Sequence, residues 1–276
     1  MAGDLSVLEA VILGLVEGIT EWLPISSTGH LTITQDLLGI DGDAATSYAI
    51  AIQAGAILAV LGLYRHRFLA MGRSLSDGNR EGRTAIAAIA VACVPTVILG
   101  LALEDTIKSR LFGPGPVVAA WFAGGIAILV VARRRRHSAG ATGYGGLASL
   151  TWRRALLIGT VQTLALWPGV SRSLVTILAG TALGLSVPAA VEFSFLLGFV
   201  VLGGATLYET LKSGNEMVAA YGIATPLLGG LVAFAASVVA MRWMVAYLNR
   251  RGLEIFGWYR IAIAGVVGAL MVTNVI

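Results

Sequence analysis

Residues 14–31 read GLVEGITEWLPISSTGHL. The frame is apolar, yet it holds two carboxylates, a histidine, three consecutive hydroxyls and a proline. An ionisable side chain at the centre of a lipid-buried helix costs roughly 2.5–3.5 kcal/mol on insertion scales. A polar cluster in such a sequence therefore points to function. A second stretch, residues 159–176 (GTVQTLALWPGVSRSLVT), has the same character.

The rest of the chain explains why the frame is lipid-grade. Of its 276 residues, 57% are hydrophobic and 12% charged, with a mean hydropathy of +0.84. Soluble domains carry about 25% charged residues, so too few charges are present to cover a water-facing surface. Long continuous apolar runs indicate an all-α polytopic membrane protein, whereas a β-barrel needs ~10-residue alternations. The net charge of +4 does not indicate nucleic acid, because the arginines lie between apolar runs, as topology signals do. Cys93 is the only cysteine and is expected to pack rather than pair. The first residues hold Asp4 and Glu9 but no Lys or Arg, the wrong pattern for a cleavable signal peptide.

Residues 5–22 and 27–40 are two short apolar segments broken at Leu23-Pro24. Neither reaches the ~20 residues needed to span comfortably, so a re-entrant hairpin over 5–40 is expected. Longer runs follow at about 47–64, 84–104 and 115–132. After an arginine-rich linker, 133–153, the plan restarts: a second broken pair over 154–185, then runs at about 188–211, 222–248 and 255–275. A single membrane domain over 1–276 thus divides into repeats 1–132 and 154–276, with about ten helices and six full spans. Ala10, Gly14, Glu17 and Trp22 align without gaps with Ala155, Gly159, Gln162 and Trp167.

Three crossings per repeat make the second repeat inverted. Loops 65–83, 133–154 and 249–254 hold thirteen Arg; the alternate positions, including a turn at 212–221, hold only Lys108, Arg110 and Lys212. The positive-inside rule puts the first set in the cytoplasm and both termini outside. The two hairpin tips then approach from opposite sides, the plan by which broken helices build binding sites in inverted-repeat proteins.

Glu17 and Glu21, at i and i+4, share a helix face. Close carboxylates repel in a low dielectric, so either a divalent cation joins them or they form a polar pair bonded to neighbouring helices. Ser26, Ser27 and Thr28 stand before a helix start, where hydroxyls cap and free amides favour anions. Pro168-Gly169-Val170-Ser171-Arg172-Ser173 repeats the device and adds a guanidinium suited to phosphate. Arg172 is alternatively a counter-ion for Glu17 or Glu21. His30 follows Ser27 by three residues on one face, a spacing that supports nucleophilic attack with proton transfer. Further buried polar candidates are Gln53, Gln162, Thr176 and Glu192; Asp36 and Arg260 are functional or interfacial; His66 and His137 are expected in solvated loops.

The stretches EGITEWLPISSTGHL and ALWPGVSRSLVT, with IQAGAILAV (52–60), DTIKSRLF (105–112) and EFSFLL (192–197), closely resemble the undecaprenyl-diphosphate phosphatase family, the bacitracin-resistance proteins. The resemblance covers nearly the whole chain. It implies a bacterial inner-membrane phosphatase acting on a polyprenyl diphosphate among membrane lipids, with an outward-facing site and a requirement for Mg2+ or Ca2+. By resemblance, Ser27 is the nucleophile, His30 assists, Glu17 and Glu21 bind metal or move protons, and Arg172 grips the diphosphate. Ser26, Thr28, Ser171, Ser173 and Thr176 match the family's phosphate-contacting hydroxyls; Gly29, Gln53 and Gln162 are further substrate-binding candidates of this chain. A homodimer is compatible with all of this; the sequence does not set oligomeric state.

After Ser171-Arg172-Ser173 the family usually continues Gly-Ala-Thr; here it is Leu174-Val175-Thr176, two bulkier residues expected to narrow the pocket or shift helix packing. The alternative function is a transporter or flippase for a lipid phosphate, which would need neither nucleophile nor proton carrier. A different class of lipid phosphatases, with Ser-Gly-His and Ser-Arg motifs, is excluded: it requires a later histidine, and none follows His137.

Overall fold

The computed structural model describes residues 5–40, 42–137, 145–273 and 275–276. Residues 138–144 of the expected linker and Asp41 of the acidic turn lie outside the described residues, as do the side chains of residues 135–137, among them His137.

The described residues form helices joined by short turns. A broken pair comes first, α1 (Val7–Thr20) and α2 (Ser27–Leu38), followed by α3 (Asp43–Leu63), α4 (Arg65–Asp77), α5 (Arg80–Ala102), α6 (Glu104–Arg110) and α7 (Pro114–His137). A second broken pair, α8 (Trp152–Gln162) and α9 (Arg172–Ala182), precedes α10 (Val187–Tyr221), α11 (Ala224–Leu248) and α12 (Glu254–Val272). Six helices, α3, α5, α7, α10, α11 and α12, are long and apolar enough to cross a membrane. The paired helices are shorter, 14 and 12 residues in the first hairpin and 11 and 11 in the second. At 1.5 Å per residue each reaches only about 16–21 Å, less than the ~30 Å hydrocarbon core.

Local chemistry sets the ends of these helices. Ser6 and Glu9 form a reciprocal capping box at the start of α1. Ser26 and Ser171 cap α2 and α9 and share one backbone conformation, with φ of 74° and 76°; they are the non-glycine residues of positive φ among those described. Such a conformation is uncommon outside glycine.

The expected turn at 212–221 is corrected: α10 runs through it to Tyr221 and is ended by Gly222, φ 66°. Hydropathy falls there because Lys212 and Glu216 are polar, and the helix simply continues through them. For the same reason the polar loops at 65–83 and 105–114 contain α4 and α6.

Each hairpin packs on a span of the other repeat, α1 on α11 and α8 on α5. Glycine makes the approach possible. A Cβ on Gly14 would stand 2.5 Å from Gly229 O, and one on Gly159 would overlap Ala92 O, so either would force the helices apart. The largest core lies around α8, α9, α10 and α5, with Trp22, Phe193, Phe195 and Ile158 fully buried. Leu174 and Val175 are buried as well, and neither lines the polar cleft described below. Their bulk goes into helix packing.

Candidate active site

Glu21 stands at the C-terminal cap of α1, where the chain turns toward Pro24. One carboxylate oxygen accepts a hydrogen bond from Ser27 Oγ. The other accepts from Arg172 Nη2 at 2.9 Å, an ion pair across the two hairpins with side chains only 9% and 6% exposed. Arg172 Nη1 donates to Ser194 O at 2.9 Å, and the guanidinium lies 4.7 Å over the ring of Trp22. Its Nε has no partner among the described residues. Trp22 is itself tied to α3 through Nε1 and Ala56 O, 3.0 Å. A rigid aromatic wall and a backbone carbonyl therefore aim the guanidinium at Glu21.

A polar cleft of about 540 Å³ opens beside this pair, lined by Glu17, Ser27, Thr28, Gln53 and the exposed face of α2. Glu17 is 1% exposed, and both its oxygens lack a hydrogen-bond partner among the described residues. Gln53 accepts from Thr206 at 3.1 Å. The two glutamates thus differ in what they meet, since both oxygens of Glu21 are engaged and neither oxygen of Glu17 is.

The spacing of Ser27 and His30 does not make them partners. His30 Nδ1 lies 2.6 Å from Ser26 O and Nε2 lies 2.7 Å from Tyr259 OH. A carbonyl cannot donate, so Nδ1 carries the proton, and in the neutral form of the ring Nε2 accepts from the tyrosine. Both ring nitrogens are thus occupied, and Ser27 turns to Glu21. His30 is also held between the rings of Trp121 and Tyr259.

The remaining candidates divide in the same way. Ser26 Oγ caps Gly29 N at 3.4 Å, and Gly29 lies so close to Trp121 that a Cβ would stand 2.9 Å from its ring. Ser171 caps Leu174 N at 3.3 Å and touches Ser173, which donates to Leu23 O at 2.8 Å. Thr176 bonds Ser194 Oγ at 2.7 Å, behind Arg172. Gln162, wholly buried, donates to Thr96 at 2.8 Å, away from the cleft. Ser173, Thr176 and Gln162 therefore support the site rather than line its cleft. Glu192 bonds Arg67 at 2.6 Å on another face of α10. Arg260, read as functional or interfacial, is wholly buried at the hairpin tips. Ser194, Trp121 and Tyr259 carried no signal: a serine within EFSFLL and two aromatics in apolar runs look like ordinary packing.

A divalent cation can be tested against these donors. Among the described residues no group of three or more His, Cys, Asp or Glu could hold a metal ion. A hard cation such as Mg2+ commonly takes one or two carboxylates and completes its shell with waters and substrate phosphates. The unpartnered Glu17 carboxylate at the cleft fits that habit.

At the level the fold defines, this is a polytopic α-helical membrane protein whose buried ionisable residues gather where two broken hairpins meet. More particularly, the chain belongs to the family described as bacitracin resistance protein BacA, whose family model matches residues 10–267. Similar curated proteins carry the name undecaprenyl-diphosphatase. The one from Sorangium cellulosum (strain So ce56) is 43% identical over 94% of this chain and 84% of its own length. Those from Nitrosomonas europaea and Clostridium tetani are 41% identical (93% of this chain, 92% of theirs) and 37% identical (99% and 99%).

Proposed function

We propose that the protein is an integral membrane phosphatase that hydrolyses undecaprenyl diphosphate to undecaprenyl phosphate and inorganic phosphate, recycling the lipid carrier of cell-wall polymers. The observation that carries this reading is the Arg172–Glu21–Ser27 chain, a hydroxyl bonded to a carboxylate that is itself held by a guanidinium. The names of the relatives support the substrate.

The diphosphate enters the cleft with its prenyl tail left in the hydrocarbon. The first turn of α2 presents backbone amides and the Thr28 hydroxyl to the terminal phosphate. Arg172, whose Nε has no partner among the described residues, is the guanidinium assigned to gripping that anion. Ser27 Oγ attacks the terminal phosphorus while its proton passes to Glu21, and the bond from that phosphorus to the bridging oxygen breaks. Undecaprenyl phosphate departs. Water then attacks the phosphoserine; Glu21, having lost its first proton to solvent, takes one from this water and returns it to Ser27 Oγ as inorganic phosphate leaves. His30 takes no proton from Ser27 in this scheme, because its ring nitrogens face Ser26 O and Tyr259 OH while Ser27 Oγ faces Glu21. Glu17 would hold a divalent cation, which when bound supplies positive charge to the phosphate oxygens.

The arginine distribution supports placing both termini outside the cytoplasm and inverting the second repeat relative to the first; the bacterial inner membrane and an outward-facing cleft follow from the family resemblance. The test is phosphate release from undecaprenyl diphosphate by the purified protein in detergent with Mg2+. Release is expected, with loss on adding EDTA and in Ser27→Ala. Lipid translocation without any hydrolysis would replace the enzyme with a transporter.

A further inference from the structure

The reversal between α1 and α2 is Leu23-Pro24-Ile25-Ser26, and its four consecutive carbonyls are each met by a side-chain donor from a different helix. Ser173 Oγ of α9 donates to Leu23 O at 2.8 Å, and Arg260 Nη1 of α12 to Pro24 O at 3.4 Å. Trp121 Nε1 of α7 donates to Ile25 O at 2.9 Å, and His30 Nδ1 of α2 to Ser26 O at 2.6 Å. This segment delivers Ser26 at φ 74° and, next to it, the Ser27 hydroxyl. A side-chain conformation this dependent on an unusual backbone needs its surroundings to hold it.

Two adjacent residues of α12 act on two of the four carbonyls, Arg260 directly at Pro24 O and Tyr259 through His30 at Ser26 O. Arg260 is 0% exposed, and the partners it finds are backbone carbonyls. Besides Pro24 O, its Nη2 reaches Ala120 O and Gly169 O, both at 2.8 Å, and its Nε reaches Trp121 O at 3.3 Å. One guanidinium thus joins the breaks of both hairpins, at Pro24 and at Gly169. Burying a cation without a carboxylate is unfavourable unless its donors are all met, and an apolar residue of like size would fill the same space at less cost. Next to it, Tyr259 OH donates to His30 Nε2 at 2.7 Å, and the two rings stack, 13° apart. That bond fixes the tautomer which lets Nδ1 hold Ser26 O.

We infer that α12 is the brace of the reacting loop: Arg260 and Tyr259 are positioning residues that set where Ser27 Oγ stands between Glu21 and the phosphorus. They touch backbone and His30 rather than substrate. A misplacement of about 1 Å at the nucleophile costs about 100-fold in turnover while leaving most binding contacts in place. The inference rests on the phosphatase reading above.

The test compares wild type with Tyr259→Phe, Arg260→Met, Arg260→Lys and Gly124→Ala, all purified full-length in detergent. Gly124 is included because its added Cβ would overlap Arg260 Nη2, displacing the guanidinium without removing it. Kinetics on undecaprenyl diphosphate and thermal unfolding are read for each. The brace predicts kcat lowered about 100-fold in Arg260→Met and about 10-fold in Tyr259→Phe and Gly124→Ala, with KM within about twofold. Arg260→Lys should recover part of the Arg260→Met loss. If Arg260→Met does not fold, Tyr259→Phe and Gly124→Ala decide. A hydrolysing wild type with full kcat in those two variants overturns the brace alone, as does a loss carried only by KM or only by melting. A wild type that hydrolyses nothing overturns the phosphatase reading, and the brace with it.

Discussion

The two hairpins use one backbone device for two chemistries. Ser26 and Ser171 sit at the same φ, cap the same kind of short helix, and follow a proline by two and three residues. The residue after each cap decides what the hairpin does. In the first it is Ser27, the nucleophile we propose, bonded to Glu21; in the second it is Arg172, a cation that leaves its own hairpin to bind the same Glu21. The aligned pair Glu17 and Gln162 diverges likewise. Both are buried, but Glu17 faces the cleft unpartnered, whereas Gln162 donates to Thr96 inside the bundle. In our reading, two like helix starts are put to different use by single side chains, the first to react and the second to grip.

That contrast can be broken at several points. Ser27→Ala should have the largest effect, a fall in kcat of about 10³-fold or more with the fold intact, read by phosphate release. Arg172→Ala should nearly match it and also destabilise the protein. Removing one member of a buried pair costs about 3–5 kcal/mol, and thermal unfolding in detergent would register it. Glu17→Gln should act on the cation requirement, raising the Mg2+ needed for half-maximal rate about tenfold or more while the enzyme still folds. Gln162→Leu, at the aligned position of the other hairpin, should leave kcat within about twofold and shift stability by about 1 kcal/mol. Equal effects at Glu17 and Gln162 would erase the division of labour between the hairpins.

Much of this was legible because lipid imposes simple rules. Apolar runs marked six spans, with the ends of all but α10 within a few residues, and Leu23-Pro24 and Pro168-Gly169 marked the breaks. Helix continuation through Lys212 and Glu216 was not legible, since hydropathy reports the surrounding medium and not the backbone. Side-chain partners were harder still. Glu17 and Glu21 share a face by spacing, but Glu21 stands at the helix cap, where Ser27 and Arg172 claim both of its oxygens. Ser27 and His30 share a face as well, yet the ring orientation is set by Tyr259, 229 residues along the chain. Local spacing fixes where a Cβ points; distant residues choose what the rest of the side chain meets.

The central claim is that Glu21 and Arg172, from opposite hairpins, act as one unit on Ser27. A double-mutant cycle on phosphate release from undecaprenyl diphosphate tests it most directly, using Glu21→Gln, Arg172→Gln and both together. Residues acting as a unit are strongly non-additive, so each single change should cost about 10³-fold and the double about the same. Losses that multiply to about 10⁶-fold in the double variant would mean that the two hairpins contribute independently, and would contradict the account.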